Sequence, residues 1–279
     1  MLMRPSGEVN AAIGGVLARA RERFGIELFG YVFLSTHFHL LIRAPEGTHS
    51  AFMQYLLSNL SRKVGRLVDW RGAFWSRRYS AERVLDDGAL VARLNYILAH
   101  GVKEKLVRRC SEWPGLSCLN QLLTRVAETF QWFHWSRRWS KRRTTDVDQT
   151  LFSQEYAEPH KLQLAPLPCW SDVPETRRSD LVAGLVADIE AKHSNEPVLG
   201  REAILKQDPQ FRPDKVKRSP RPPAHSASKE RLTDFVTAYR EIVSSFREAS
   251  VKWRGGDFQA LFPPFCFRPP VLALMTTPA

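Results

Sequence analysis

The segment Gly30-Tyr-Val-Phe-Leu-Ser-Thr-His-Phe-His-Leu-Leu-Ile-Arg43 constrains the fold of this chain more than any other stretch. Its β-branched, aromatic and leucine residues run almost unbroken, which predicts strand rather than helix. Ser35-Thr36 interrupts the run, so two strands turning there are expected. Side chains alternate along a strand, which puts His37 and His39 on one side and Phe38, Leu40 and Ile42 on the other. Two imidazoles held side by side on a rigid element make a pair of metal ligands. By itself a His-x-His in a strand is as readily incidental, so the rest of the chain decides its meaning.

A second motif lies downstream. Asp86-Asp87-Gly88 opens a helix expected from about Ala89 to Ala99, with Val91, Leu94 and Leu98 as its apolar stripe and Ile97 beside them. If the helix runs on, Tyr96 and His100, four residues apart, share one face. A phenol, a neighbouring imidazole and a strand-borne histidine pair suit metal-assisted phosphoryl transfer. A divalent ion polarises the phosphate, and the tyrosine oxygen attacks and stays attached, conserving the bond for rejoining. Each piece has a plainer reading. Tyr96 suits core or boundary packing, and His100 suits a helix end before Gly101.

Charge selects among partners. With 41 Lys and Arg against 29 Asp and Glu, the 279-residue chain carries a formal net charge of +12, which favours polyanions, nucleic acid above all. A membrane is not expected, since no apolar run approaches the ~18 residues a span needs. The N-terminus lacks a signal-peptide layout. Cys110, Cys118, Cys169 and Cys266 are scattered, so neither a disulfide framework nor a zinc knuckle is indicated, and a reducing cytoplasm is expected.

Around these motifs, Ser6 to Arg23 predicts a capped helix with Ile13, Val16, Leu17 and Ala20 on its apolar face, closed by Gly25. Ser50 to Val68 predicts an amphipathic helix carrying Arg62, Lys63 and Arg66 near its end. Ala81 to Leu85 is expected to be a strand, and Glu112 to Ser117 a loop packed on the domain. Beyond Ala127 the composition shifts to aromatics over Phe130–Trp139 and a basic run over Arg137–Arg143. Helices follow over Arg178–Lys192 and Leu232–Val251, with a basic, proline-rich linker at Lys215–Ser228. Two regions are expected: an α/β domain over 1–126, and a helical, irregular C-terminal extension over 127–279.

The stretch Phe29 to Pro45 closely resembles the His-hydrophobe-His strand of single-tyrosine HUH transposases, in particular the REP-associated tyrosine transposases of bacteria. Their second signature is similar to Tyr96-Ile-Leu-Ala-His-Gly-Val-Lys-Glu-Lys-Leu106, and Trp113-Pro114 and Phe74-Trp75-Ser-Arg-Arg-Tyr79 match further family elements in the same order over roughly residues 5–120. The resemblance implies a ferredoxin-like α+β fold, an antiparallel sheet with helices packed on it. It implies cleavage and joining of single-stranded DNA beside hairpins, with Mg²⁺ or Mn²⁺ as cofactor. His37 and His39 become metal ligands, Tyr96 the nucleophile forming a 5′-phosphotyrosine, and His100 a further ligand where the family carries Asn. Gly101 replaces a proline, which is expected to loosen the helix exit. Some relatives are homodimers. The family's first strand precedes the Arg4-Pro5-Ser6 region, so either the true start lies upstream or the copy is truncated, in which case the sheet is expected to lack a strand and to leave ladder groups unpaired. A catalytically silent DNA-binding remnant of the same family is therefore the alternative. A metal-dependent hydrolase unrelated to DNA is disfavoured by the charge and the double motif.

Single strands are held by basic grooves and aromatic stacking. The candidates are Arg62, Lys63, Arg66, Trp75, Arg77, Arg78 and Tyr79, with Arg137, Arg138, Lys141, Arg142 and Arg143 for a hairpin stem. A solvated basic face and a core Trp75 are the plainer readings.

Overall fold

The computed structural model describes residues 1–136, 154–211, 222–264 and 266–270. It divides into two compact units, Met1–Ser80 with Leu90–Ser219, and Ala81–Ala89 with Pro220–Ala279. The expected boundary at 126/127 does not coincide with either unit. The mixed α/β class is as expected, and among the described residues the strands form three two-stranded sheets, two of them antiparallel.

In the first unit, Ser6 caps α1 (Gly7–Arg23), its Oγ accepting the Val9 N–H at 3.1 Å. The helix buries Ile13, Val16, Leu17 and Ala20, and packs against α2 (His49–Leu67) through Phe52, Leu56, Leu60 and Val64. Between them in the sequence runs the antiparallel hairpin of β1 (Glu27–Phe33) and β2 (Phe38–Arg43). The Leu34 N–H donates to the His37 carbonyl at 2.8 Å, closing the turn at Ser35-Thr36 where the sequence places it. His37 thus sits at the base of the turn, one residue short of β2.

The outer edge of β1 is not left unpaired. Phe33 N–H donates to Leu116 O at 2.9 Å, Cys118 N–H to Tyr31 O at 3.0 Å, and Ala165 N–H to Leu28 O at 2.8 Å. The loop after Trp113 and the stretch beyond residue 162 take up groups that would otherwise be orphaned. Trp113 anchors this loop, its indole N–H donating to Phe33 O at 3.1 Å.

Residues just beyond 126 belong to the first unit because β4 (Glu128–Phe133) and β5 (Ala157–Leu162) pair antiparallel and pack on α1. The contact is made at Gly14-Gly15. A Cβ on Gly15 would run into the Gln131 backbone oxygen, and one on Gly14 into the Phe130 ring. The unit is completed by α4 (Leu119–Thr124), α5 (Glu175–Lys192), which packs on α4, and α6 (Arg201–Lys206).

In the second unit the expected strand shortens to β3 (Arg83–Val84), paired parallel with β6 (Ala224–His225). Part of the expected linker is therefore ordered. The Asp86 carboxylate holds it there, accepting from the Ser226 hydroxyl and from the Ala89 and Ala227 amides. Those bonds, Ser226 first, keep its pKa down at about 2. Ser228 then caps α7 (Lys229–Arg254). Among the described residues no helix is long and apolar enough to cross a membrane.

Candidate active site

The site is built where the third helix, α3 (Asp87–Lys103), lies on the hairpin. α3 runs past the expected Ala99. No proline stands at 101 to end the ladder, and the chain turns only at Lys105, with φ 57° and a Leu106 N–H to Gly101 O bond at 3.0 Å. His100 is consequently inside the helix, not at its tip. Close approach to the sheet depends on Gly30, where an added Cβ would lie 2.9 Å from Leu94 Cδ1. Along β2 the buried Leu41 shares the parity of His39, so the histidine side is the inner face that α3 covers.

His37, His39 and His100 come together there, each offering a ring nitrogen within 4.8 Å of the others. Nε2 of His37 lies 3.0 Å from Nε2 of His100. Ring centroids are 5.1 Å apart for His37 and His39, and 4.5 Å for His39 and His100. Tyr96 completes the cluster, its ring 5.2 Å from that of His39 and 5.1 Å from that of His100. Two sequence motifs some 60 residues apart therefore meet in one chain.

The electrostatics suit a ligand set. Burial, reinforced by His39, His37 and Lys103, pushes the His100 pKa down to about 3, and burial lowers that of His37 against the pull of Glu104. Both shifts favour the neutral imidazole, the form that ligates. His37 Nδ1 lies 2.9 Å from the Thr36 hydroxyl, a contact that can hold the proton on Nδ1 and free Nε2. His100 Nδ1 is buried with no hydrogen-bond partner. Two opposed Nε2 atoms share one proton at best, so a cation that engages both lone pairs fits the cluster. A divalent ion is compatible with these residues.

The buried imidazole also predicts a pH dependence. Below an unfolded pKa of about 6.5 the unfolded chain takes up a proton that folded His100 refuses until about pH 3. Stability is therefore full above that range and drains as pH falls, by on the order of 1 kcal/mol per unit. In metal-free protein Tm should drop between pH 6.5 and 4, and His100→Asn should flatten that slope. Equal acid slopes in the two proteins would contradict it.

The structure adds two residues that the sequence reading did not single out. Arg93 Cζ lies 5.1 Å and Lys103 Nζ 4.6 Å from the Tyr96 ring centroid, and Arg93 Nε is buried without a hydrogen bond. Their signal was spacing: 93, 96, 100 and 103 repeat at helical intervals and so share one face. Cations beside a phenol favour its anion and offer donors to a phosphate.

The predicted DNA contacts divide. Arg62, Arg77 and Arg78 are exposed, although Arg62 Nε donates to Ser58 O of its own helix. Arg66 is exposed and stacks over Trp135 at 4.5 Å. Lys63 is corrected: it is buried, donates to Phe133 O at 2.6 Å and sits 3.9 Å over the Trp132 ring. Desolvation, then Arg19, Arg66 and Arg62, lower its pKa to about 8. Its ammonium is committed to the α2–β4 contact, away from phosphates. Trp75 is half-buried, donating to Leu57 O at 3.0 Å with its ring edge-on to Phe38 at 5.7 Å, which favours the packing role. Tyr79 is half-buried against His49 at 5.4 Å. Arg137, Arg138, Lys141, Arg142 and Arg143 lie outside the described residues.

No curated protein and no solved structure matches the chain significantly. Residues 5–100 match the family model described as Transposase IS200 like, a span that holds α1, the hairpin, α2 and α3 as far as His100. Every residue of the histidine–tyrosine cluster falls inside it, and over that segment the chain is similar to the IS200-like transposase family.

Proposed function

We propose that the protein is a metal-dependent transposase that cuts and rejoins single-stranded, hairpin-associated DNA in the cytoplasm through a 5′-phosphotyrosine at Tyr96. One observation carries this reading: Tyr96 and the three imidazoles stand on one face within one chain, with ring separations near 5 Å. His37, His39 and His100 would hold the ion, which when bound supplies Lewis-acid stabilisation of phosphate charge. The Tyr96 oxygen bonds to phosphorus and gives up its phenolic proton to water, while the bond to the 3′ oxygen breaks and that oxygen takes a proton from water to leave as a 3′-hydroxyl. Rejoining runs the same step backwards. Arg93 and Lys103 stabilise the phenolate and the charge that builds on the phosphoryl oxygens. A full set of groups within one copy means that a homodimer is not needed to complete the site. The bonds from Leu116, Cys118 and Ala165 give partners to three ladder groups of β1, which favours this reading over a silent remnant of the same family.

The test is incubation of the full chain with labelled hairpin-bearing single strands and a divalent ion. A protein–DNA adduct that survives denaturation is expected, and none with the same sequence as a plain duplex. Adduct formation on duplex alone, or on neither, would overturn the proposal. Arg93→Ala should slow adduct formation by roughly 10²-fold while leaving single-strand affinity within a few-fold.

A further inference from the structure

We propose that His100 sets the identity of the ion, so that the centre takes borderline transition ions and does not retain Mg²⁺. This rests on the metal reading above and concerns which cation the site accepts. The cluster offers three imidazole nitrogens and, among the described residues, no carboxylate or thiolate joins it. Glu104 acts on His37 only through its charge. Mg²⁺ is small and hard, sheds water reluctantly and binds through oxygen, whereas imidazole suits Fe, Ni, Cu and Zn. An amide at position 100 would contribute an oxygen; the histidine, a residue 2% exposed, contributes a third nitrogen, 3.0 Å from that of His37. Affinity should therefore follow the order Mn²⁺ < Co²⁺ < Ni²⁺, with Zn²⁺ also tight and Mg²⁺ outside the series.

The experiment is a titration of chelator-stripped, full-length protein, read by thermal melting and, for Co²⁺, by visible d–d absorption. Co²⁺ and Ni²⁺ at micromolar levels should raise Tm, Co²⁺ should give a nitrogen-ligated spectrum, and Mg²⁺ at roughly 10 mM should shift nothing. His100→Asn, checked by circular dichroism for its fold, should weaken Co²⁺ at least tenfold relative to wild type and lose the spectrum. Should that variant unfold, the wild-type comparison of Co²⁺ with Mg²⁺ decides alone. A Mg²⁺ shift equal to that of Co²⁺, or unchanged Co²⁺ binding in His100→Asn, would overturn the selectivity and leave the metal centre standing. No shift or spectrum with any ion would overturn both.

Discussion

Replacing Tyr96 by Phe is expected to abolish the covalent DNA adduct, a fall of at least about 10³-fold, while the fold and the metal centre persist. The change removes one oxygen from a half-buried ring that packs edge-on against His39 and His100, and the ring itself stays. Stability should move by no more than about 1 kcal/mol. Because the phenol is not among the three nitrogen donors, ion-induced shifts in Tm should be retained, as should affinity for single strands. Those two retained properties separate a missing nucleophile from a damaged site. An adduct of undiminished yield in Tyr96→Phe would assign the chemistry to another side chain and sink the role argued for α3.

The second large effect is structural and lies far from the histidines. Gly15→Ala should cost about 3 kcal/mol or more and leave little folded protein at 37 °C. The added methyl would meet the Gln131 backbone oxygen, so relief requires α1 and β4 to separate. Gly184, exposed within α5 with nothing within 4 Å of a new Cβ, is the control. There alanine should stabilise by about 0.5–1 kcal/mol through helix propensity. The opposite signs of one substitution in two helices, read by urea melts, test whether backbone contact or propensity governs Gly15.

Local periodicity explains what the sequence made legible. The turn at Ser35-Thr36, the Ser6 cap, the apolar face of α2 and the shared face of Tyr96 and His100 all follow from repeats of two or 3.6 residues. Other features depend on partners distant in the chain. The pairing of Leu116, Cys118 and Ala165 with β1 leaves no periodic trace, and Lys63 looks like a solvent-facing cation until Trp132 and Phe133 are placed beside it. Gly14-Gly15 reads as a weak point in a helix, yet it is the surface on which β4 rests. The length of α3 was hidden by Gly101, which reads as a stop signal. Here it serves as a gap: a Cβ would press on Val107 Cγ2 at 3.2 Å.

His37 and His100 stand 63 positions apart in sequence and belong to a hairpin tip and a helix. An ion shared between them would act as a reversible covalent-like crosslink that closes this loop in the folded chain alone. Because the ion would bind the folded chain alone, the coupling grows with its free concentration relative to Kd and not with the length of the loop. Chelation should then be felt as lost mechanical unity: amides at the hairpin tip and in the last turns of α3 would begin to exchange with solvent on a common clock.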